Sequence, residues 1–326
     1  MGRYILKRVL QFIPVFIGVT LLLFIMRTVI PGDPVVMLAG EKAISPATYQ
    51  MIVERNHLDE PLPVQYLYYM DGLLHGDFGH SYQKNRDVLV IFADKFPNTA
   101  KLAIGAILVE IVVGITVGVI SAIKKYSFID VLLTLTTSML VSVPVFWLGL
   151  LLQFVFGIWL KKATGGALSL PPSGMGGPIS DYPAILHLVL PSITLASVSL
   201  AVTARIMRSQ LLEVLNQDYI RTAYAKGLSR RAVITKHALK NAMIPVITFI
   251  GIDFGSMMAG AILTESVFSW PGVGREIYMA ISQRDWPIVM GGVVIIVIIV
   301  MAVNLLIDIS YAIFDPRIRY GTKQAE

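Results

Sequence analysis

Two carboxylates lie inside long apolar stretches of the sequence. Glu110 interrupts the run 102–123, and Asp253 lies within the run 243–263. A charged group is costly in hydrocarbon, so a carboxylate within a membrane span is expected to face the interior of a helix bundle or a water-filled pathway. We therefore predict that both side chains line a translocation path. The alternative for each is a structural hydrogen bond inside the bundle.

A second group of potential ligands occurs in the stretch HGDFGH, where His75 and His80 flank Asp77. Histidine and aspartate can bind zinc. The spacing fits no pair on one helix face, however, and no third ligand is evident, so a solvated loop is favoured and no metal site is predicted. The chain has no cysteine, which excludes thiolate metal sites and cysteine nucleophiles.

A third candidate is the segment 218–246, DYIRTAYAKGLSRRAVITKHALKNAMIPV, in which small apolar residues recur at helical intervals and basic residues fill other faces. Gly227 interrupts the pattern and can end one short helix, and Ser229 can cap the next. Two short helices around a glycine turn predict a protrusion that a partner protein can bind. The alternative is an amphipathic helix that lies on the lipid surface.

The turn SWPGVG at 269–274 follows the fifth apolar run. Tryptophan is typical of a membrane interface, and proline with two glycines permits a sharp bend. We predict an outer gate or docking point there, with simple interfacial anchoring as the alternative, and a short helix over 275–284. The residues assigned to this gate are Trp270, Pro271, Gly272 and Gly274.

The apolar composition of the chain indicates that membrane-spanning helices position these side chains. The chain has 326 residues, of which 55% are hydrophobic and 15% charged. A soluble domain carries about 25% charged residues, so a disordered chain, a disulfide-stapled module and an ordinary cytosolic enzyme are excluded. At about 20 apolar residues per span, we predict an all-α polytopic membrane protein with six transmembrane helices. The runs that predict them are Val9–Met26, Leu102–Ile123, Val131–Leu160, Ala184–Ala204, Met243–Leu263 and Ile288–Ile307.

Two of these runs need interpretation. The first follows a basic start, which also fits a cleaved signal peptide, but it is longer than the usual apolar core of such a peptide and ends at Arg27 rather than at small residues. We interpret it as a retained span. The third run is too long for one upright span, and Pro144 near its middle predicts a kink, with tilt or an extra turn at the membrane interface.

Lysine and arginine residues indicate the orientation. With both termini in the cytoplasm, inner segments hold 16 of the 27 basic residues, and the short ones carry the positive-inside signal. The net charge of +6 is therefore mostly a property of the inner surface. It predicts contact with anionic lipid headgroups and no nucleic-acid role. The inner segments are 1–8, 124–130, 205–242 and 308–326.

The predicted organisation is a single transmembrane domain over 1–326. An outer segment, 28–98, is long enough to fold as an extracytoplasmic cap, and Ser45 before Pro46 predicts a helix start within it. The inner segment 205–242 is much longer than a connection between two spans requires, and we predict that it is the functional cytoplasmic loop.

Several stretches resemble the membrane subunits of ABC importers, in the dipeptide and oligopeptide permease family. The inner loop resembles the EAA motif of that family: the residues 221–223 occupy the EAA position, and Gly227 is the fixed glycine. Arg221 replaces the initial glutamate and Lys240 stands where the general motif has proline, and both departures resemble the peptide-permease branch. The other similar stretches begin at Tyr4 (YILKRVLQF), at Gly72 (GLLHGDFGHSY), at Leu263 (LTESVFSWPGVG) and at Asp315 (DPRIRYG).

The resemblance implies the type I ABC-importer permease fold, in the inner (cytoplasmic) membrane of a bacterium or archaeon. It also implies partners: a homologous second permease chain, two cytoplasmic ABC ATPase subunits and an extracytoplasmic solute-binding protein. The protrusion would seat in a groove of an ATPase subunit. The residues implied to make this contact are Tyr219, Arg221, Thr222, Ala223, Lys226, Gly227, Leu228 and Leu239.

The sequence contains no phosphate loop of the form G-x-x-x-x-G-K-[ST]. We therefore expect a transport subunit rather than an enzyme, with no cofactor in this chain, and with ATP and magnesium bound by the partner ATPases. The cargo that the resemblance implies is a dipeptide or longer peptide, with glutathione, nickel complexes or opine-like solutes as alternatives. The alternative functions are an ion-coupled secondary transporter, which would use Glu110 and Asp253 to bind the ion, and an intramembrane enzyme.

Overall fold

The computed structural model describes residues 2–29, 32–39, 45–177, 180–259 and 261–314. The chain divides into two compact units. Unit 1 comprises 1–99, 258–262 and 271–326, and unit 2 comprises 100–257 and 263–270.

The described chain is almost entirely helical, and one two-stranded hairpin interrupts the helices. The hairpin pairs β1 (His80–Ser81) with β2 (Arg86–Asp87) in antiparallel register, with His80 opposite Asp87. The helices are α1 (Gly2–Val29), α2 (Pro34–Ala39), α3 (Pro46–Asn56), α4 (Leu62–Leu74), α5 (Val88–Ile123), α6 (Phe128–Ser142), α7 (Val145–Thr164), α8 (Ala184–Leu215), α9 (Asp218–Ala225), α10 (Arg230–Met258), α11 (Ile262–Val267), α12 (Val273–Ser282) and α13 (Trp286–Phe314).

Within the described residues, six helices are long and apolar enough to cross a membrane, namely α1, α5, α7, α8, α10 and α13. The predicted number of spans is therefore confirmed. Helices α5, α7 and α10 each contain a π-helical turn, at Glu110–Gly114, Gln153–Trp159 and Val233–Ala238 respectively. Such turns are frequent at functional sites, and the first of them begins at the predicted path residue Glu110.

Unit 1 combines α1 and α13 with the helices and hairpin of the predicted outer segment, 28–98. The predicted helix start at Ser45 is confirmed, since the Ser45 hydroxyl accepts a hydrogen bond from the Thr48 N–H, and Pro46 begins α3. The hairpin is tied to the helices that follow, because Ser81 donates to the buried Asp285 carboxylate and Lys84 pairs with Glu276. The buried side chains at the centre of unit 1 are Val88, Phe92, Val273, Ile277 and Ile288.

Unit 2 is built on α8, which packs against α5, α6 and α7. Its core is a cluster of buried aliphatic side chains from α5, α8, α9 and α10, and the contact between α5 and α8 is close. A Cβ atom on Gly118 would lie 2.6 Å from both the Ala204 carbonyl oxygen and the Met207 Cβ, so only glycine fits there. The core residues are Ala122, Met207, Leu211, Ile220, Ala223, Val233, Ala238, Ala242, Val246 and Ile250.

The prediction of one kinked span over Val131–Leu160 is wrong. The run forms two helices, because α6 ends at Ser142, Val143 is extended at φ −92° and ψ 129°, and α7 begins after Pro144. A proline ring disfavours the helical conformation for the preceding residue and removes a backbone donor. Pro144 therefore separates the helices, and α7 alone meets the length of a span.

Other predicted boundaries move because charged residues extend the helices beyond the apolar runs. Helix α5 begins at Val88 rather than near 98, since Asp94 stays exposed and pairs with Arg86. Helices α8 and α10 extend into the predicted loop 205–242, so the stretch between them is 216–229. The fifth span ends at Met258, and the predicted remainder up to Leu263 lies partly in α11.

Some sequence predictions lie outside the described residues. These are the similar stretch at 315–321, most of the inner segment 308–326, the first two residues of the IPGDP turn, and residue 178 of the glycine-rich outer loop.

Candidate functional site

The helix, glycine turn and helix predicted for the protrusion are present, and their geometry follows from two residues. Helix α9 ends at Ala225, and Gly227 adopts φ +80°, a left-handed conformation that glycine adopts without steric cost. The Ser229 hydroxyl then accepts a hydrogen bond from the Ala232 N–H and caps α10. Helix, glycine turn and helix thus follow one another as the sequence predicts.

The inner face of α9 is packed into the core of unit 2. Ile220 and Ala223 are buried in the cluster that contains Met207 of α8 and Ala242 of α10. Leu239 is half-buried and packs against the same cluster. Of the residues predicted to contact an ATPase, Ala223 and Leu239 therefore contact the chain's own core.

The outer face of α9 and the turn carry the remaining predicted coupling residues in exposed positions. Thr222 and Gly227 are exposed, and the Tyr219 hydroxyl accepts a hydrogen bond of 2.7 Å from the Asn241 side chain. Asp218 forms an exposed pair with Arg221. The outer face presents a phenol, an aliphatic side chain and two cations, contributed by Tyr219, Leu228, Arg221 and Lys226.

The protrusion is connected to three membrane helices. Helix α10 continues from Arg230 through the π-helical turn to Met258, and the Arg230 guanidinium donates to the Ile123 carbonyl at the end of α5 at 3.3 Å. The buried face of α9 adds contacts to α8. Helix α9 therefore contacts residues of α5, α8 and α10 through packed side chains.

The two carboxylates inside spans, Glu110 and Asp253, lie beside each other. Glu110 is fully buried, its Oε1 accepts a hydrogen bond of 2.5 Å from the Thr203 hydroxyl, and its carboxyl interacts with that of Asp253. The Glu110 Oε2 and the Asp253 Oδ2 are buried without a hydrogen-bond partner in the described part of the chain. Buried polar atoms are nearly always hydrogen-bonded. These two oxygens can therefore still accept hydrogen bonds from a ligand or from water.

The predicted outer turn contains both buried and hydrogen-bonded residues. Trp270 is buried, with 2% of its surface exposed, and its backbone N–H donates to the Glu265 carbonyl. In unit 1, the Pro271 carbonyl accepts from Asn98, and the Val273 N–H donates to the Thr99 hydroxyl. Gly272 precedes α12, and Gly274 is buried in its first turn, so the predicted short helix is present over Val273–Ser282.

The HGDFGH stretch distributes its ligands among different partners. Asp77 pairs with Arg55 at 3.1 Å, and His80 contacts Asp87 at 2.7 Å across the hairpin. The described residues contain no group of three or more side chains that could hold a metal ion. The stretch thus has a structural explanation in the contacts of Asp77 and His80 with their partners.

Sequence reasoning missed a buried ionic network that joins α5, α6 and α8. Asp130 accepts two hydrogen bonds from Arg208, at 2.9 and 2.8 Å, and others from the Ser121 hydroxyl and the Tyr126 N–H. The Arg208 guanidinium holds the pKa of the Asp130 carboxyl well below its usual range. A lone Asp beside two lysines gave no signal for this network, because its cation lies 78 residues away.

Comparisons with known proteins match nearly the whole chain. The model for the inner membrane component of binding-protein-dependent transport systems matches residues 114–320, and the model for the N-terminal part of that membrane component matches residues 1–103. The dipeptide transport system permease protein DppB of Escherichia coli K12 is 42% identical over 98% of this chain and 99% of its own length.

Two further relatives agree. The di/tripeptide transport system permease protein DppB of Pseudomonas aeruginosa is 41% identical over 98% of this chain and 99% of its own length. The oligopeptide transport system permease protein AppB of Bacillus subtilis is 38% identical over 98% of this chain and its own entire length, 100%.

Six apolar helices and these alignments define a multi-pass inner-membrane transport subunit with the ABC-importer permease fold. The chain belongs to the family of binding-protein-dependent transport system inner membrane components, in the branch of its dipeptide and oligopeptide permease relatives. The family and fold predicted from the sequence are therefore confirmed.

Proposed function

We propose that this chain is the permease subunit of an ATP-driven importer of dipeptides and oligopeptides. Its relatives are permease proteins of dipeptide, di/tripeptide and oligopeptide transport systems, which supports peptides as the cargo class. The chain would form half of the translocation path beside a homologous second permease. A solute-binding protein would deliver the cargo, and glutathione or a nickel complex is the alternative cargo.

The connection of the protrusion to the membrane helices is the observation that carries this proposal. The exposed side of α9 and its turn, with Tyr219, Arg221, Lys226 and Leu228, offers apolar and cationic groups to a groove on an ATPase. The buried side is packed on three spans. Closure of two ATPase subunits would move α9 as a rigid unit and shift the balance between inward-facing and outward-facing states.

Under this proposal, the ATP that drives transport must be hydrolysed by a separate chain. The sequence has no phosphate loop, so ATP and magnesium would bind to the two ATPase subunits. These subunits are cytoplasmic, which requires the protrusion and both termini to face the cytoplasm. The excess of basic residues in the short inner segments supports that orientation.

The carboxyl pair Glu110 and Asp253 is our candidate for the path. A solute with an ammonium group could interact with oxygens that lack a hydrogen-bond partner in the described chain. The same pair also favours a second candidate function, an ion-coupled secondary transporter, because adjacent buried carboxylates can bind a proton or sodium ion. Vesicles that contain this chain alone distinguish the two functions: uptake against a gradient without ATPase subunits would favour the second.

The variant Gly227→Val tests the coupling role. Gly227 has φ +80°, which costs a residue with a Cβ about 1–2 kcal/mol, and a Cβ there meets nothing within 4 Å. The substitution therefore distorts the turn without a clash inside the chain. We expect the assembled complex to lose peptide-stimulated ATP hydrolysis and transport, measured in proteoliposomes, while the chain remains inserted in the membrane.

Two control variants accompany this test. Gly18→Ala adds a Cβ to α1, also with nothing within 4 Å, and should leave stimulated hydrolysis unchanged. Gly227→Asn should retain more activity than Gly227→Val, because asparagine tolerates the left-handed conformation. Full peptide-stimulated hydrolysis in the valine variant would contradict the assignment of the protrusion.

A further inference from the structure

Unit 1 contains a cavity of about 240 Å³ that no part of the proposed mechanism uses. Its walls come from the C-terminal end of α1, from α3 and α4, from the hairpin and from the start of α13. The cavity is lined mainly by aromatic and polar side chains. The volume of the cavity is smaller than the usual range for pockets that hold drug-sized ligands, about 300–1,000 Å³, so the cavity suits one end of a small solute.

A buried cation lies in the wall of this cavity. Arg27 is 8% exposed, and its Nη2 donates a hydrogen bond of 3.0 Å to the Gln65 side-chain oxygen. In the part of the chain that the structure describes, no carboxylate lies within salt-bridge distance of this guanidinium. A buried charge without a counter-ion is costly, and a guanidinium has five donors, so most of its capacity is available to a ligand.

The geometry of the cation is fixed by its neighbours. The Gln65 amide nitrogen donates to the carbonyl oxygens of Leu58 at 3.3 Å and Glu60 at 2.8 Å, which orients its oxygen toward Arg27. The guanidinium carbon also lies 5.0 Å from the centroid of the Phe24 ring. Both contacts hold the guanidinium in place before any ligand binds.

A hydroxyl donor accompanies this cation. The Tyr69 hydroxyl lines the same cavity and is buried without a hydrogen-bond partner among the described residues. Its ring stacks on Phe24 with centroids 6.2 Å apart, and the Arg27 guanidinium lies over the same Phe24 ring, so both groups line the cavity around one aromatic side chain. Burial raises the pKa of Tyr69 above its ordinary value, so the hydroxyl keeps its proton and can donate.

The other charged groups of the cavity are already engaged. Arg55 pairs with Asp77, His80 contacts Asp87, and the Asp71 carboxylate that also lines the cavity lies 3.5 Å from the His75 ring nitrogen. The His57 ring stacks on Tyr68 at a centroid distance of 3.7 Å. The capacity for a ligand is therefore concentrated at Arg27 and Tyr69, which offer donors and positive charge but no negative charge.

We propose that this cavity binds a carboxylate group, with the Arg27 guanidinium and the Tyr69 hydroxyl as its donors. A carboxylate accepts two or more charge-assisted hydrogen bonds and supplies the missing counter-ion. The source of the carboxylate is the free C-terminus of a short peptide. This choice rests on the proposed peptide cargo and on the small volume, which admits a chain end but not a folded segment. An acidic side chain of the solute-binding protein is the other source, which the test separates.

The test measures binding of alanylalanine and alanylalanine amide to the full-length chain in phosphatidylcholine nanodiscs by calorimetry. We expect the free acid to bind and the amide to bind at least tenfold more weakly. Arg27→Gln should abolish the difference between the two probes. Tyr69→Phe should weaken binding of the acid about three- to tenfold without a change in unfolding temperature, because the hydroxyl makes no hydrogen bond within the described chain.

The matched control is Arg86→Gln, which removes an exposed arginine that pairs with Asp94 outside the cavity wall and should leave binding unchanged. Equal binding of acid and amide, or full binding of the acid by Tyr69→Phe, would overturn the proposal. So would a loss of affinity for the solute-binding protein, rather than for alanylalanine, in Arg27→Gln. If the assembled complex transports no peptide while Arg27-dependent binding persists, the proposed cargo fails and the carboxylate site stands.

Discussion

Two buried carboxyl clusters in unit 2 differ in how completely their oxygens are hydrogen-bonded. Both oxygens of Asp130 accept hydrogen bonds, from Arg208, Ser121 and the Tyr126 N–H. At Glu110 one oxygen accepts from Thr203, while the other has no partner in the described chain. Both clusters nevertheless join α5 to α8.

This difference in hydrogen bonding is the reason to expect a structural role for one cluster and a functional role for the other. A fully hydrogen-bonded carboxylate with a bidentate arginine fixes the helices that it joins, since every change of partner costs hydrogen bonds. A buried carboxyl pair with unused acceptors is instead a place where solute, water or an ion can enter. We therefore expect Asp130 to contribute to the stability of unit 2, and we keep the pair Glu110 and Asp253 as the proposed transport residues.

The two clusters share one geometric requirement, the close contact of α5 with α8. Gly114 lies beside Thr203, and Gly118 lies beside Ala204 and Met207. Along α5, these contacts lie between Glu110 and Ser121, the residues that belong to the two clusters. A change that separates the helices should therefore disturb both clusters.

The largest effect is expected for Gly118→Val. Its Cβ would lie 2.6 Å from the Ala204 carbonyl oxygen, and overpacking of this kind costs about 3 kcal/mol. We expect a lower unfolding temperature in detergent and loss of transport in proteoliposomes. Gly18→Ala is the matched control and should have an unchanged unfolding temperature. A Gly118→Val variant that is as stable as the parent would show that the helices do not need this contact.

A smaller loss of stability is expected for Asp130→Ala, because this variant leaves Arg208 without its carboxylate partner. Breaking hydrogen-bonded ion pairs costs several kcal/mol when they are fully buried, and the partial exposure of Arg208 reduces this to about 2 kcal/mol. Thermal unfolding measures the loss. The control Asp218→Ala breaks the exposed pair with Arg221 and should not change stability measurably. Equal effects of the two variants would remove the structural assignment.

Acidification should gradually remove the stability that the pair of Asp130 and Arg208 contributes. The pKa of Asp130 is lowered in the folded chain, chiefly by Arg208, so the folded state favours the ionised form. The contribution is present above the unfolded pKa of about 3.9 and is lost as the pH falls through the lower folded pKa. The stability difference between the parent and Asp130→Asn should therefore shrink below about pH 4. A difference that is constant down to pH 2 would contradict this.

The smallest change in stability is expected for Asp253→Asn. The asparagine amide can donate to the buried Glu110 oxygen that has no partner in the described chain. The substitution also removes the repulsion between two carboxylates. The unfolding temperature should therefore be kept or slightly raised. Transport rate or cargo preference should change several-fold. Thr203→Ser keeps the hydroxyl that Glu110 accepts from and serves as the control. An unaltered transport profile would favour a structural hydrogen bond instead.

Most of the fold was accessible from local sequence signals. Hydrophobic length predicted six spans. The helix start at Ser45 and the turn at Gly227 followed from the hydrogen-bonding capacity of a serine hydroxyl and the conformational freedom of glycine. The errors arose where one residue acts on the backbone, as at Pro144, or where charged residues such as Asp94 continue a helix beyond its apolar run.

The sequence by itself determined that this chain is a six-span membrane protein with a helix, glycine turn and helix between its fourth and fifth spans, because hydrophobicity and backbone preference belong to each segment alone. Only the tertiary structure decided that Glu110 lies beside Asp253, that Arg208 binds Asp130, and that Arg27 faces a cavity. These pairings depend on the rotation and register of helices that are far apart in sequence. Side-chain packing between the helices sets both.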